Sequence, residues 1–164
     1  MKKAEFVSAN GKLSISKTSG RTGETEVVYT ENLVVDIGLK WIAARMTTGL
    51  SSAADITAMG VGTSDVEAAK GQQKLIAEVH RNSLQSPVSL TVDDDFTIIA
   101  SALFGVDEAN AALTEAGLFT STTDNAGGAT VDNCMVCRTT FPVVTKEQGD
   151  TITITWTIQI TPNP

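Results

Sequence analysis

Two cysteines three positions apart, Cys134 and Cys137, are the first residues whose type and spacing suggest chemistry. A C-x-x-C pair works as a redox centre when its sulfurs approach to about 2 Å, usually at a helix start. A structural zinc site takes four ligands, and one cysteine pair does not supply them. The sole histidine, His80, is distant in the chain. Cys134 to Phe141 reads as a strand ending at Pro142. Side chains three apart on a strand point to opposite faces. The spacing therefore predicts two small buried or half-buried residues rather than a redox pair.

His80 invites a nucleophile–base reading with one of the many serines and threonines. No G-x-S-x-G elbow accompanies it, and a lone histidine does not define a triad. Glu78 and Arg81 lie close by, so an ion-pair position is the simpler reading. Gly60-Val61-Gly62-Thr63-Ser64 begins like a phosphate loop. The third glycine of G-x-G-x-x-G is replaced by Asp65, which repels phosphate, and no P-loop lysine follows. Asp93-Asp94-Asp95 offers oxygens for calcium, but no spaced ligand loop surrounds it, and it reads as a solvated turn. Glu78 and Glu115 are candidate paired carboxylates; a glycosidase needs two such groups about 5–10 Å apart in an aromatic cleft. The few aromatics read as core residues. No residue is assigned a catalytic, cofactor-binding or metal-ligating role, and no cofactor is expected.

The elements that would position these residues are mostly strands. Glu5–Ser8 and Lys12–Ser16 flank Asn10-Gly11, a favoured hairpin turn, and Glu26–Thr30 makes a third strand. Asp36 is placed to cap a helix over residues 36–48, with Ile37, Trp41 and Ala44 on its apolar face and Gly49 as its stop. Ile56–Val61 reads as a strand. Ser64-Asp65-Val66-Glu67 fits a capping box, which predicts a short helix at about 65–70. Residues 75–84 are ambiguous between helix and strand.

The second half alternates more clearly. Val88, Leu90 and Val92 share a face, as do Phe96, Ile98, Ala100, Ala102 and Phe104. The strongest pattern comes last. Ile152, Ile154, Trp156, Ile158 and Ile160 alternate with Thr151, Thr153, Thr155, Thr157 and Gln159. Period two puts one face in the core and leaves one face polar. These patterns predict a mainly β protein: an antiparallel sandwich or barrel with one early helix and one short helix. Residues 1–164 make a single β-rich domain, with residues 1–30 as a possible N-terminal hairpin arm.

Composition narrows the functional classes. Twelve basic residues face nineteen acidic ones, a formal net charge of −7, and the basic residues are scattered. Nucleic-acid binding needs clustered lysine and arginine to displace counterions, so it is not expected. No run of roughly 18 apolar residues predicts a membrane helix. The first residues are too polar for a signal peptide, so the protein is expected to stay where it is made. Only 19% of residues are charged, and threonine fills many outward strand positions. Such faces suit contact with other surfaces.

The order of several short motifs resembles small virion structural proteins of tailed bacteriophages. Asn32-Leu33-Val34-Val35 precedes Gly38 and a helix; then come Met59-Gly60-Val61-Gly62-Thr63 and Leu75 with Glu78 and Arg81. Glu115-Ala116-Gly117-Leu118-Phe119, Arg138-Thr139-Thr140-Phe141, Lys146 and a closing strand with Trp156 continue it. The resemblance covers roughly residues 26–160. Ser64 departs from it, standing where glycine is often seen.

The resemblance implies a non-enzymatic virion protein that forms homo-oligomers and binds other virion proteins, located in the virion after assembly in the host cytoplasm. A head decoration or cement protein is the leading expectation, since a free-standing domain ending at Pro164 carries no fibrous repeat. A tail-fibre, neck or baseplate component is the first alternative. A carbohydrate- or receptor-binding module is the next, and it needs exposed aromatics such as Trp41 and Trp156. A hydrolase using His80 or Glu115 is the last.

Overall fold

The computed structural model describes residues 6–47, 53–85, 97–124 and 128–163. Strands β1 (Phe6–Thr18) and β2 (Thr25–Val34) lead into helix α1 (Asp36–Arg45). Then follow β3 (Ala58–Gly62), β4 (Glu78–Ser83), β5 (Thr97–Phe104), β6 (Ala112–Phe119), β7 (Met135–Thr145) and β8 (Thr151–Asn163). All eight strands form one antiparallel sheet in the order β4-β3-β6-β7-β2-β1-β8-β5. The sheet nearly closes on itself. At the seam between β4 and β5, the Gln85 N–H donates to the Ser101 carbonyl at 2.7 Å, and Asn82 Nδ2 donates to the Leu103 carbonyl at 2.9 Å. Near-closure hides most of what would be two long unpaired edges.

The alternation seen in the last strand sets the core. Ile152, Ile154, Trp156 and Ile158 of β8 are buried, and Ala100, Ala102 and Phe104 of β5 meet them. The pairings Ala100↔Trp156 and Ala102↔Ile154 match a small residue to a large one. Each large aliphatic or aromatic side chain buried this way stabilises the fold by about 1.5–3 kcal/mol. Threonine fills the outer face of β8, where the hydroxyls of Thr155 and Ser101 lie 3.0 Å apart.

Several local expectations are corrected. Asn10-Gly11 is not a turn. β1 runs straight through it, pairing Gly11 with both Asn32 and Ile158. A Cβ on Gly11 would collide with the Asn32 side chain, so the glycine serves a close approach between strands. The hairpin turn lies at residues 19–24, where the Ser19 N–H donates to the Glu24 carbonyl and Gly23 has φ +74°. No helix forms at 65–70. Ser64 Oγ accepts the N–H of Val66, two residues on, and the Val66 carbonyl is taken by Arg138. A tertiary partner thus claims a carbonyl that a helix would need. Residues 78–83, ambiguous in sequence, are β4. Pro142 does not end β7, because the register shift between Leu113 and Glu115 leaves that stretch without a ladder partner.

Helix α1 ends at Arg45, earlier than expected. Asp36 sits in its first turn rather than at the cap, which is Val35 without a side-chain cap bond. Asp36 and Arg45 still favour the helix dipole from their two ends. Gly38 lets the helix lie on β7: a Cβ there would stand 2.1 Å from the Val136 carbonyl oxygen. Gly49, the alternation at Val88, Leu90 and Val92, Asp93-Asp94-Asp95 and Phe96 lie outside the described residues. Among the described residues no helix is long and apolar enough to cross a membrane.

Candidate functional site

The residues singled out in the sequence do not gather in one place. They fall into a buried cluster on β3, β6 and β7, a polar cluster at the β4–β5 seam, and two free thiols in the core.

Glu115 of β6 and Arg138 of β7 centre the first cluster, and both are completely buried. Glu115 Oε2 accepts from Arg138 Nε at 3.0 Å and Nη2 at 2.8 Å. The same carboxylate takes the N–H groups of Ile76 and Ala77 at 3.1 and 2.7 Å. Arg138 also donates to Gln72 Oε1 and the Val66 carbonyl. The pair therefore pins the long segment between β3 and β4 against the sheet. Arg138 lies opposite Gly117 in register, and a Cβ on that glycine would crowd Phe119, Leu75 and Met135. Gly62 serves the carboxylate similarly: a Cβ there would come 2.5 Å from Glu115 Oε1.

Glu78 is not a second carboxylate for this group. It holds Arg81 through two bonds of 2.7 Å, and the Arg81 guanidinium stacks 3.6 Å over the Phe119 ring. Arg81 also donates to the carbonyls of Ser121 and Thr123. Gly60 and Gly117 lie beneath; a Cβ on either would crowd both Phe119 and Leu75. The glycines that began like a phosphate loop thus admit side chains, with Met59 before them and Val61 between them in the core.

His80 sits half-exposed at the seam. Its Nε2 lies 3.0 Å from Asn82 Oδ1 and 3.8 Å from Glu108 Oε1. Glu108 Oε2 accepts the Gly105 N–H at 2.8 Å and Asn82 Nδ2 at 2.7 Å. Those bonds hold the Glu108 carboxyl below its ordinary range. The bonds join the β5–β6 connection to the seam. The Phe104 ring meets the His80 ring edge-on at a 6.1 Å centroid distance.

Cys134 and Cys137 are free thiols, both buried in the core. Burial pushes the Cys137 thiol up to about 12 and raises Cys134 as well. A thiol held in its protonated form is a poor nucleophile and a poor metal ligand. Lys146 is buried too, with Nζ 2.7 Å from Asn110 Oδ1, and burial lowers its pKa.

A cavity of about 800 Å³ opens beside α1 at one end of the barrel, lined by Trp41, Ile42, Ile56, Leu84, Ile98 and Ile158 among others. Its charged lining residues pair with each other: Arg45 Nη2 meets Asp55 Oδ1 at 2.7 Å. The Trp41 indole N–H goes to the Ala54 carbonyl. Trp156 is fully buried elsewhere in the core, so it offers no platform for a sugar ring. Among the described residues no group of three histidine, cysteine, aspartate or glutamate side chains is placed to hold a metal.

Sequence reasoning missed the pairing of Glu115 with Arg138. The signal was present: each is a single charge inside an otherwise apolar strand, A-L-T-E-A-G-L-F and M-V-C-R-T-T-F. Opposite charges isolated in two buried strands seek each other. The Asn82–Glu108 link carried no comparable signal, because both residues read as surface polar groups.

No family model, curated protein or solved structure matches this chain.

Proposed function

We propose that this chain is a non-enzymatic virion structural protein of a tailed bacteriophage, a capsid decoration or cement protein that binds the head surface in many copies and forms homo-oligomers. One observation carries this reading. The residues that make up the motif resemblance serve as internal fasteners. Leu75, Glu78 and Arg81 lock onto Gly60, Gly117 and Phe119, and Glu115 locks onto Arg138. Each charged group in that set is already engaged by protein partners, which leaves none poised for a substrate. Such a set maintains a rigid barrel whose usefulness lies in its outer contours.

The outer contours suit that role. β8 presents threonines, and exposed apolar side chains such as Tyr29, Val106 and Val143 are spread over the surface. A protein that binds only the assembled shell stabilises it by mass action. The test uses purified particles. Stripping this chain should lower their heat and chelator resistance, and adding it back should restore it. Unchanged resistance removes the cement role. A gel of intact particles separates head from tail: a band matching the abundant shell protein supports the head, and a trace band supports a tail-fibre or baseplate component.

A further inference from the structure

β2 has one edge that the barrel leaves open. It pairs with β1 along residues 25–32, but with β7 only at Leu33↔Arg138 and Val34↔Cys137. Beyond these, side chains bridge the two strands: Thr139 Oγ1 donates to the Glu31 carbonyl, and Thr30 Oγ1 to the Thr140 carbonyl at 3.2 Å. From Tyr29 back to Thr25 no β7 partner follows.

The register says which backbone groups this leaves unused. The Ser19 N–H donates to the Glu24 carbonyl across the turn. In an antiparallel ladder, directly opposed pairs alternate between bonded and non-bonded. Lys17↔Glu26, Ile15↔Val28 and Leu13↔Thr30 are therefore the bonded pairs of this hairpin. Thr25, Val27 and Tyr29 direct their N–H and C=O groups the other way, toward the gap. Glu31, in the same phase, has its carbonyl facing β7, as its bond from Thr139 shows.

The side chains above this edge are apolar and exposed. Tyr29 is 76% exposed and Val27 44%. Underneath, Lys17 closes the gap from inside, with Nζ 3.1 Å from the Thr145 carbonyl and 3.5 Å from Glu26 Oε2. Approach is therefore from the outer face. A row of free N–H and C=O groups fits one class of ligand, an extended strand.

We infer that β2 of a second copy of this chain adds to this edge, antiparallel, about a two-fold axis near Val27. The inference rests on the assembly reading above and names its surface. The self-paired register accommodates the charges. Centred on Val27, each Glu26 meets a Val28 and each Glu24 meets a Thr30, so no two acids face each other. Thr25 opposes Tyr29 of the second copy and Val27 opposes Val27, all in the bonded phase. Val27 and Tyr29 then cover their counterparts on one face. A surface that pairs with itself under a two-fold is the commonest way for identical chains to associate.

The test is sedimentation of the full chain over a range of concentrations, with three variants. Wild type should form a dimer that tightens with salt, since screening relieves the repulsion of two acidic chains. Val27→Pro removes an edge N–H that the β1 ladder does not use, so the barrel remains folded by near-ultraviolet dichroism. Its self-association should weaken by about tenfold or more, two edge bonds being lost per dimer. Tyr29→Lys should weaken it as well, and Val106→Lys, on the β5–β6 connection, should not. Amide exchange provides a second readout: Val27 and Tyr29 should become protected as concentration rises.

A wild type that stays monomeric throughout overturns the inference, as does a Val27→Pro variant that associates normally. Protection of Val27 and Tyr29 that appears only on particle binding assigns the edge to another protein and also overturns it. A monomer that still binds stripped particles leaves the virion reading standing. A dimer sensitive to Val27→Pro that never binds particles does the reverse.

Discussion

Glu115 and Arg138 show how one residue pair can govern a long stretch of chain. Two charges without access to water are costly unless each finds full compensation. Here the carboxylate has the guanidinium and two amides, and the guanidinium has Gln72 and the Val66 carbonyl as well. Arg138→Met would leave Glu115 buried and alone, and should destabilise the protein by about 3–5 kcal/mol. The double variant Glu115→Gln, Arg138→Met should recover part of that loss; urea unfolding followed by tryptophan fluorescence checks both. Cys137 makes a second prediction. Its folded pKa, about 12, lies above the ordinary value of 9.0. Between those values the unfolded chain releases a proton that the folded chain keeps, so stability falls as pH rises through this window. The slope from this one group is about 1.4 kcal/mol per pH unit. Cys137→Ala should remove that share of the alkaline loss, and the native thiol should react with a disulfide reagent only after unfolding.

Elements are joined by contacts that no single element explains. Helix α1 lies on β7 because Gly38 offers no Cβ. Gly38→Ala should push the helix off the Val136 carbonyl and lower stability by about 1–3 kcal/mol, readable as a lower thermal midpoint. At the barrel end away from the helix, Asp150 ties two turns together. Its carboxylate accepts the Glu147 N–H and the Gly20 N–H, both at 3.1 Å. Those bonds lower its pKa from the ordinary 3.8. The sign follows: this contribution is present above pH 3.8 and is lost as pH falls through the lower folded value. Asp150→Asn should cost stability at neutral pH and make the acid transition shallower, as an acid titration of tryptophan fluorescence would show. The β1–β2 hairpin was legible in part. Its strands are visible in the alternation and the run Ser19–Gly23 reads as the loop between them, but the sequence also suggests a turn at Asn10-Gly11, inside β1, because a glycine that admits a neighbouring strand resembles one that bends the chain.

At the scale of the whole molecule, the described strands join into one nearly closed sheet, and β2 leaves an edge without a β7 ladder partner along residues 25–29. That shape suits a part added to a larger shell. If the chain cements a head, particles carrying the Arg138→Met variant should lose heat resistance together with the isolated protein. Particles carrying a folded Val27→Pro variant should lose only what self-pairing contributes. Comparing the thermal midpoints of the two particle types separates barrel stability from contact between copies.

The sequence by itself determined that the protein is mainly β, that β8 has a buried isoleucine–tryptophan face and a threonine face, and that one helix begins at Asp36. Those properties follow from periodicity, which is local and therefore written along the chain. Only the tertiary structure decided that Ser64–Glu67 would not start a helix, that Glu115 belongs with Arg138 rather than Glu78, and that β2 and β7 part company after two pairs. Each of these depends on groups far apart in sequence competing for the same hydrogen bonds. The stronger or better-buried partner prevails, and local pattern has no access to that contest.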